Sequence, residues 1–440
     1  MATTRYLARY GVPCDSAFSL LEEVALDVAD GRIAWVGEES AAPVHEGPTV
    51  KLNGLVMPGL INAHAHSPMT LLRGAGDGLP LMEWLTQVMW PREGQMNPED
   101  ALWGMRLGAA EMLLAGVTAS CEMYLFEESL VQASLEAGIR LAITPGIISA
   151  VHGETYNASK SRLSAIADFH SQYHNPESLI TVGFGPHSAY DLSLDLCSEA
   201  AAAARDLDTL LHIHVCETRH EGANLEAAHD GRSTVELLAS HGILDGKVLA
   251  AHSVWLSDSD METFAQHNVG VAHCPVSNMK LGSGIASVVE MRRKGIDVGL
   301  ATDGPASNDN LDLWEEIKLA SLLARVSALD ASSMSPEDAL VMATNGGANA
   351  LGNTDIGVLK PGAHADFIHI DLDDPTFVPV TNDDELIAHL AWAGSRRHVR
   401  DVWVGGRQVV ADRQLTTVDV AETQFEAQQR GKRLAEQSGT

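Results

Sequence analysis

Eight short apolar runs, separated by stretches with helical character, constrain this 440-residue chain more than any other feature. In order they are "GLVMPGLINAH", "VTASCEM", "RLAITPGII", "LITVGFGPH", "TLLHIHVCE", "KVLAAHSVW", "VGVAHCP" and "DVGLATDG". Strand-like runs that alternate with helical patterns are the sequence form of repeated βα units. Helical segments such as "PEDALWGMRLGAAEMLLAG", bounded by Pro98 and Gly116, and "LDLCSEAAAAARDL" separate several of the runs. Eight strands of this kind predict a closed (β/α)8 barrel of the TIM type, with its functional groups at the C-terminal strand ends.

Both ends of the chain have a different style. "VALDVADGRIAWVGEE" holds two apolar segments about "DG", and "VRDVWVGGRQVVADRQ" is a hairpin about "GG", while "ADFIHIDLDD" reads as a strand. The expected organisation is an α/β chain: residues 1–57 start a small β-sandwich domain, 58–355 form the barrel, and 356–440 complete the β domain and add a polar C-terminal helix with a frayed tail.

In an extended strand, residues i and i+2 point to one side, so His64 and His66 at the end of the first run aim both rings at one point. The fourth run ends in His187, the fifth in His214 with Glu217 three residues on, the sixth in His252 and the eighth in Asp303. Core strands are expected to be apolar, and a buried His or Asp must find a partner. Polar residues recurring at equivalent strand ends therefore mark a site. Three imidazoles and a carboxylate suit a borderline divalent ion such as zinc, with water in the remaining position. His64, His66, His214 and Asp303 are the expected ligands of one such ion, which would lower the pKa of its water toward neutrality. A two-metal barrel would need a bridging ligand, usually a modified Lys, on the fourth strand, and that run contains no Lys. Glu217 is placed to shuttle a proton. His252 is placed to hold the attacking water or polarise the electrophile. His273, at the end of the seventh run, reads as structural, and Asn278 as a loop organiser.

Composition excludes several classes. With 59 acidic against 29 basic residues, the formal charge of −30 opposes nucleic acid and anionic membranes as partners. Cys14, Cys121, Cys197, Cys216 and Cys274 are scattered and include no Cys-x-x-Cys, which fits neither a disulfide framework nor a Cys-rich zinc site and suits a reducing cytoplasm. No secretory signal pattern or long apolar run is present in the sequence. A homo-oligomer acting on a small molecule is the expectation.

The constellation "PGLINAHAH", "IHVCET", "AAHSVW" and "ATDGPASN" resembles the amidohydrolase superfamily, in its branch of single-metal aminohydrolases. More narrowly, "HSPMTLLRGAGDGLPLMEWLTQVMWPRE", "GFGPHSAY", "HCPVSNMKLGSGIA" and "TDGPASNDNLDLWEE" are similar to the 5'-methylthioadenosine/S-adenosylhomocysteine deaminases. That resemblance implies that Trp84 walls the base or sugar, Glu93 accepts from ribose hydroxyls and His187 contacts the purine. Relatives that hold an amino-acid tail resemble one another in carrying arginines after strand three. Here Pro145 falls where one would stand, and Arg162 would replace or retain the other.

The expected activity is hydrolytic deamination of a 6-aminopurine nucleoside such as 5'-methylthioadenosine, adenosine or S-adenosylhomocysteine. Glu217, His252 and Asp303 would be the catalytic residues. The alternatives are hydrolysis of a triazine, pterin or oxidised guanine ring at the same centre, and a non-catalytic binding barrel.

Overall fold

The computed structural model describes residues 3–15, 18–149 and 156–439. Among these residues, the eight apolar runs form the parallel strands Leu60–Ala65, Val117–Glu122, Arg140–Ile143, Ile180–Val182, Leu211–Val215, Val248–His252, Gly270–His273 and Val298–Leu300. The first four pair in sequence, and so do the last four. Two parallel bridges close the ring: Phe184 with Leu211 joins the fourth strand to the fifth, and Ala65 with Asp303 joins the first to the eighth. Every residue of the first, second, fifth and sixth strands is buried. Helices cover the outside of such a barrel and side chains fill its inside, so these strands read as continuous apolar runs.

Local signals explain the helix boundaries. Pro98–Leu114 starts at a capping box, in which the Asn97 side chain accepts from the Asp100 backbone and Asp100 accepts from the Asn97 N–H. Leu194–Asp206 begins at the Ser193 cap. The polar helix Val420–Ser438 is held to the barrel, since Arg430 contacts Glu99 at 2.7 Å and Arg433 contacts the buried Asp100 at 2.5 Å. These ion pairs explain why the helix continues almost to the last residue, where the sequence suggested fraying.

The two chain ends meet in one mixed eight-stranded sheet. Its halves join where Phe367–Ile370 pairs antiparallel with Thr49–Pro58. Both tight hairpins form as their sequences require: Asp30 and Gly31 have φ of +51° and +76°, and Gly405 and Gly406 have +55° and +73°. Two positive φ values make the type I′ turn that matches the twist of the flanking strands. Tyr6, Phe367 and Trp403 pack as a three-ring cluster in this sheet's core, with Phe367 and Trp403 stacked at 4.5 Å.

Thr49–Pro58 runs directly into the first barrel strand through Gly59, where a Cβ would lie 2.0 Å from the Thr118 hydroxyl. The sheet therefore sets the position of the strand that carries His64 and His66. A second tie is ionic: Arg140 on the third barrel strand donates twice to Asp366, at 2.8 and 3.0 Å, and Asp366 also accepts from the Gly405 N–H. Both side chains are almost fully buried.

Removing one partner of a buried ion pair leaves the other charge uncompensated, which costs about 3–5 kcal/mol. Asp366→Ala is accordingly expected to lower the denaturant midpoint by an amount in that range. Glu177→Ala, which cuts the exposed Arg32 contact, should leave the midpoint nearly unchanged. Equal shifts in the two variants would show that Arg140 does not fasten barrel to sheet.

Candidate metal centre and active site

The polar strand ends converge at one mouth of the barrel. One nitrogen from each of His64, His66 and His214 lies within 4.8 Å of the others, and so do one nitrogen from each of His64 and His252 and a carboxylate oxygen of Asp303. Asp303 Oδ1 stands 3.4 Å from His64 Nε2 and 3.3 Å from His66 Nε2. His252 and Asp303 have φ of +67° and +62°. Residues with side chains rarely adopt that region, and where they do the surroundings over-determine it, commonly at a functional site.

The far side of each imidazole explains the convergence. His66 Nδ1 donates to the Met123 carbonyl at 2.5 Å, and His214 Nδ1 donates to the His187 carbonyl at 2.9 Å. A carbonyl can only accept, so both rings carry their proton on Nδ1 and present an Nε2 lone pair to the centre. His64 Nδ1 is engaged by His212 Nε2 at 2.8 Å, while its Nε2 is buried with no hydrogen-bond partner. Burial pushes the His64 pKa down to about 3, against the raising effect of Asp303. His214 is also held well below the ordinary value, by burial and by its histidine neighbours. Neutral imidazoles, an orphaned Nε2 and an adjacent carboxylate oxygen form a donor set that fits one divalent ion.

The groups around this cluster can hold or move protons. Glu217 lies past the end of the fifth strand, with its carboxylate 3.9 Å from His252 Nε2. Burial, followed by the Asp303 charge, pushes the Glu217 pKa up to about 8, so the carboxyl carries a proton at neutral pH before cation and substrate are in place. His252 Nδ1 is held by Asn278 Oδ1 at 2.9 Å, which turns Nε2 toward Glu217. Asp303 Oδ2 accepts from the Ser277 and Ser307 hydroxyls at 2.6 and 2.7 Å, leaving Oδ1 facing the imidazoles.

A cleft with about 680 Å³ of empty space, part of it open to solvent, lies over the cluster. Its walls include Met69, Trp84, Trp90, Ile148 and Leu281, and it reaches His66, His214, Glu217, His252 and Asp303. Apolar walls with a few convergent polar groups are typical of a small-molecule site. Among the described residues no Lys or Arg lines it.

The remaining candidates divide. Trp84, Glu93 and His187 line the cleft. Trp84 donates its indole N–H to the Ala75 carbonyl at 3.2 Å, and Glu93 accepts from the Tyr124 hydroxyl at 2.7 Å. His187 stacks on His214 with ring centroids 4.6 Å apart, and burial pushes its pKa down to about 4. Arg162, the expected partner of a substrate carboxylate, is bidentate on the Glu127 carboxylate at 2.7 and 3.2 Å and is not among the residues that line the cleft. His273 is buried outside both groups of possible ligands.

Sequence reasoning passed over His212, Ser277 and Ser307. The His212 signal was present, because "HIH" repeats the i, i+2 spacing of "HAH". The two serines had no such signal, since their contacts to Asp303 depend on how the loops after the seventh and eighth strands fold.

The amidohydrolase family pattern matches residues 55–409. The chain belongs to the amidohydrolase family. Amidohydrolases use a divalent metal, and this one is a metal-dependent hydrolytic enzyme. It is 39% identical to the 5-methylthioadenosine/S-adenosylhomocysteine deaminase of Pelotomaculum thermopropionicum, over 92% of this chain and 93% of that one. The namesake enzyme of Dictyoglomus thermophilum is 37% identical over 88% and 89%. A crystal structure of an adenosine deaminase from Xanthomonas campestris with bound zinc superimposes with a TM-score of 0.93 at 33% identity, covering 99% of both chains. An atrazine chlorohydrolase from Arthrobacter aurescens, at 24% identity and a TM-score of 0.87 over 98% of this chain and 100% of its own, shares the fold.

Loss of one ligand in four opens the site and weakens it. Metal analysis of this amidohydrolase is expected to find about one equivalent of divalent ion per chain, and a much smaller amount in His64→Ala. A His64→Ala protein with full metal and full turnover would contradict the ligand assignment.

Proposed function

We propose that the chain hydrolyses the 6-amino group of an adenine nucleoside to a 6-oxo group and ammonia. In this reading one zinc ion is held by His64, His66, His214 and Asp303. The observation that carries the proposal is the buried Glu217 carboxyl beside the ligand cluster, within a cleft whose walls suit a flat heteroaromatic ring. The relatives named as deaminases of 5-methylthioadenosine, S-adenosylhomocysteine and adenosine support it.

When bound, the ion makes water acidic enough to supply hydroxide near neutral pH. The chain's residues account for the other proton movements. Glu217 gives its proton to the ring nitrogen next to the amino-bearing carbon, making that carbon electrophilic as the water oxygen attacks. Asp303 takes one proton from the water and passes it to the amino group, which departs as ammonia when the C–N bond breaks. The remaining hydroxyl proton returns to Glu217, leaving the C=O and N–H of the product. Asn278 holds His252 with Nε2 toward the reacting water or the electrophile, and Ser277 and Ser307 fix the Asp303 carboxylate. Trp84 walls the base or sugar, His187 contacts the purine and Glu93 accepts from the ribose.

Glu217→Gln keeps the shape but loses the proton cycle. Turnover is expected to fall by about a hundredfold or more, with metal content unchanged. Unchanged turnover would move the shuttle to His252.

Specificity follows from Arg162 being committed to Glu127 and from the absence of cations lining the cleft among the described residues. A partly desolvated carboxylate without a charged partner loses roughly 1.5–3 kcal/mol, or about one to two decades of affinity. Ammonia-release assays should therefore give higher kcat/KM for 5'-methylthioadenosine and adenosine than for S-adenosylhomocysteine. Glu93→Ala should harm the nucleosides far more than free adenine. A preference for S-adenosylhomocysteine that Arg162→Ala abolishes would overturn the specificity reading. Turnover of a pterin or triazine with no nucleoside touched would overturn the substrate class.

A further inference from the structure

We propose that His212 is a positioning residue for the metal centre, fixing which nitrogen of His64 carries the proton and where its ring points. The inference rests on the reading of His64 as a ligand. It concerns a residue outside the ligand set and outside the cleft lining.

His212 lies on the fifth barrel strand two residues before His214, so both rings face the barrel interior, one layer apart. Their centroids are 6.5 Å apart and nearly parallel, inclined by 16°. His212 is completely buried. It meets the His64 ring almost perpendicularly, at 87°, with Nε2 2.8 Å from His64 Nδ1. On its other side, His212 Nδ1 is 3.0 Å from the Thr144 hydroxyl and 3.6 Å from Cys121 Sγ.

The direction of this chain follows from the ligand role of His64. A metal-bound Nε2 leaves the His64 proton on Nδ1, so His212 Nε2 accepts from it and the His212 proton sits on Nδ1. Thr144 Oγ1 can accept that proton because its own hydroxyl donates to the Glu122 carbonyl at 3.1 Å, which also takes the Thr144 N–H at 2.9 Å. His64 Nε2 is buried and faces Asp303 Oδ1 at 3.4 Å. The linked groups run from the end of the second strand, through Thr144 just past the third and His212 on the fifth, to His64 on the first.

This arrangement separates His64 from the other two imidazoles. His66 and His214 rest on main-chain carbonyls, which no substitution removes directly. His64 depends on a side chain. The hydrogen bond on the far side of a ligating histidine fixes tautomer and orientation, and its loss typically weakens metal binding by about ten- to a hundredfold.

The test is zinc affinity of metal-stripped protein, measured by competition with a chromogenic chelator at fixed pH and checked by the thermal midpoint of each apo-protein. His212→Leu should weaken zinc binding by about ten- to a hundredfold. His212→Gln, whose side-chain oxygen can accept from His64 Nδ1, should recover most of that loss. Thr144→Val keeps the shape but leaves His212 free to take either tautomer, and should give a smaller loss of about threefold or more, of the order of one neutral hydrogen bond. Excess zinc should restore most of the turnover in all three. Wild-type-like affinity in a folded His212→Leu protein overturns the proposal. If that variant does not fold, wild-type-like affinity in Thr144→Val overturns it. A wild-type chain that takes up no zinc in the same titration brings down the metal-centre reading itself, a result distinct from wild-type binding with unaffected variants.

Discussion

A buried imidazole nitrogen whose lone pair meets no donor is costly, at about 1–3 kcal/mol for a neutral polar group. Here His64 Nε2 is such a group, crowded at one barrel mouth with the His66, His214 and His252 rings and with Asp303 Oδ1 beside two of them. Much of the molecule serves to keep them there. The Ala65 to Asp303 bridge closes the barrel at the strands carrying His64, His66 and Asp303. The Met123 and His187 carbonyls, the His212 ring and the two serine hydroxyls occupy the outward-facing atoms. Every one of these contacts leaves a lone pair directed inward, and a divalent ion is the group that uses them together.

The same burial tunes the chemistry around the centre. Low polarity keeps His64 neutral and Glu217 protonated, two effects of opposite sign on charge that come from one cause. Burial penalises whichever form is charged, so it prepares the imidazoles as ligands and the carboxyl as an acid. The cleft above extends that environment with Met, Leu and Trp side chains. Glu93 pairs with the Tyr124 hydroxyl at its wall.

The strand pattern was legible because parallel strands buried on both faces must be apolar, so a histidine or aspartate at their ends stood out against the background. The two type I′ hairpins were legible for a similar reason, since only a few residue pairs accept two positive φ values. The partner of Arg162 was not legible, because sequence distance does not show that Glu127, on a different helix, holds it. Ser277 was opaque for a related reason: one short helix, Pro275–Lys280, delivers it to Asp303 and its neighbour Asn278, expected as a loop organiser, to His252. His212 was available from spacing alone.

In the proposed centre, three imidazoles and one carboxylate surround a single ion. X-ray absorption at the metal edge of the replete protein tests this most directly. The expected spectrum is that of nitrogen and oxygen ligands at about 2.0–2.2 Å, with the multiple-scattering pattern of imidazole rings. A sulfur shell near 2.3 Å would place the ion among cysteines instead. A metal–metal vector at about 3.5–4 Å would show a two-ion centre, and either result would contradict the account.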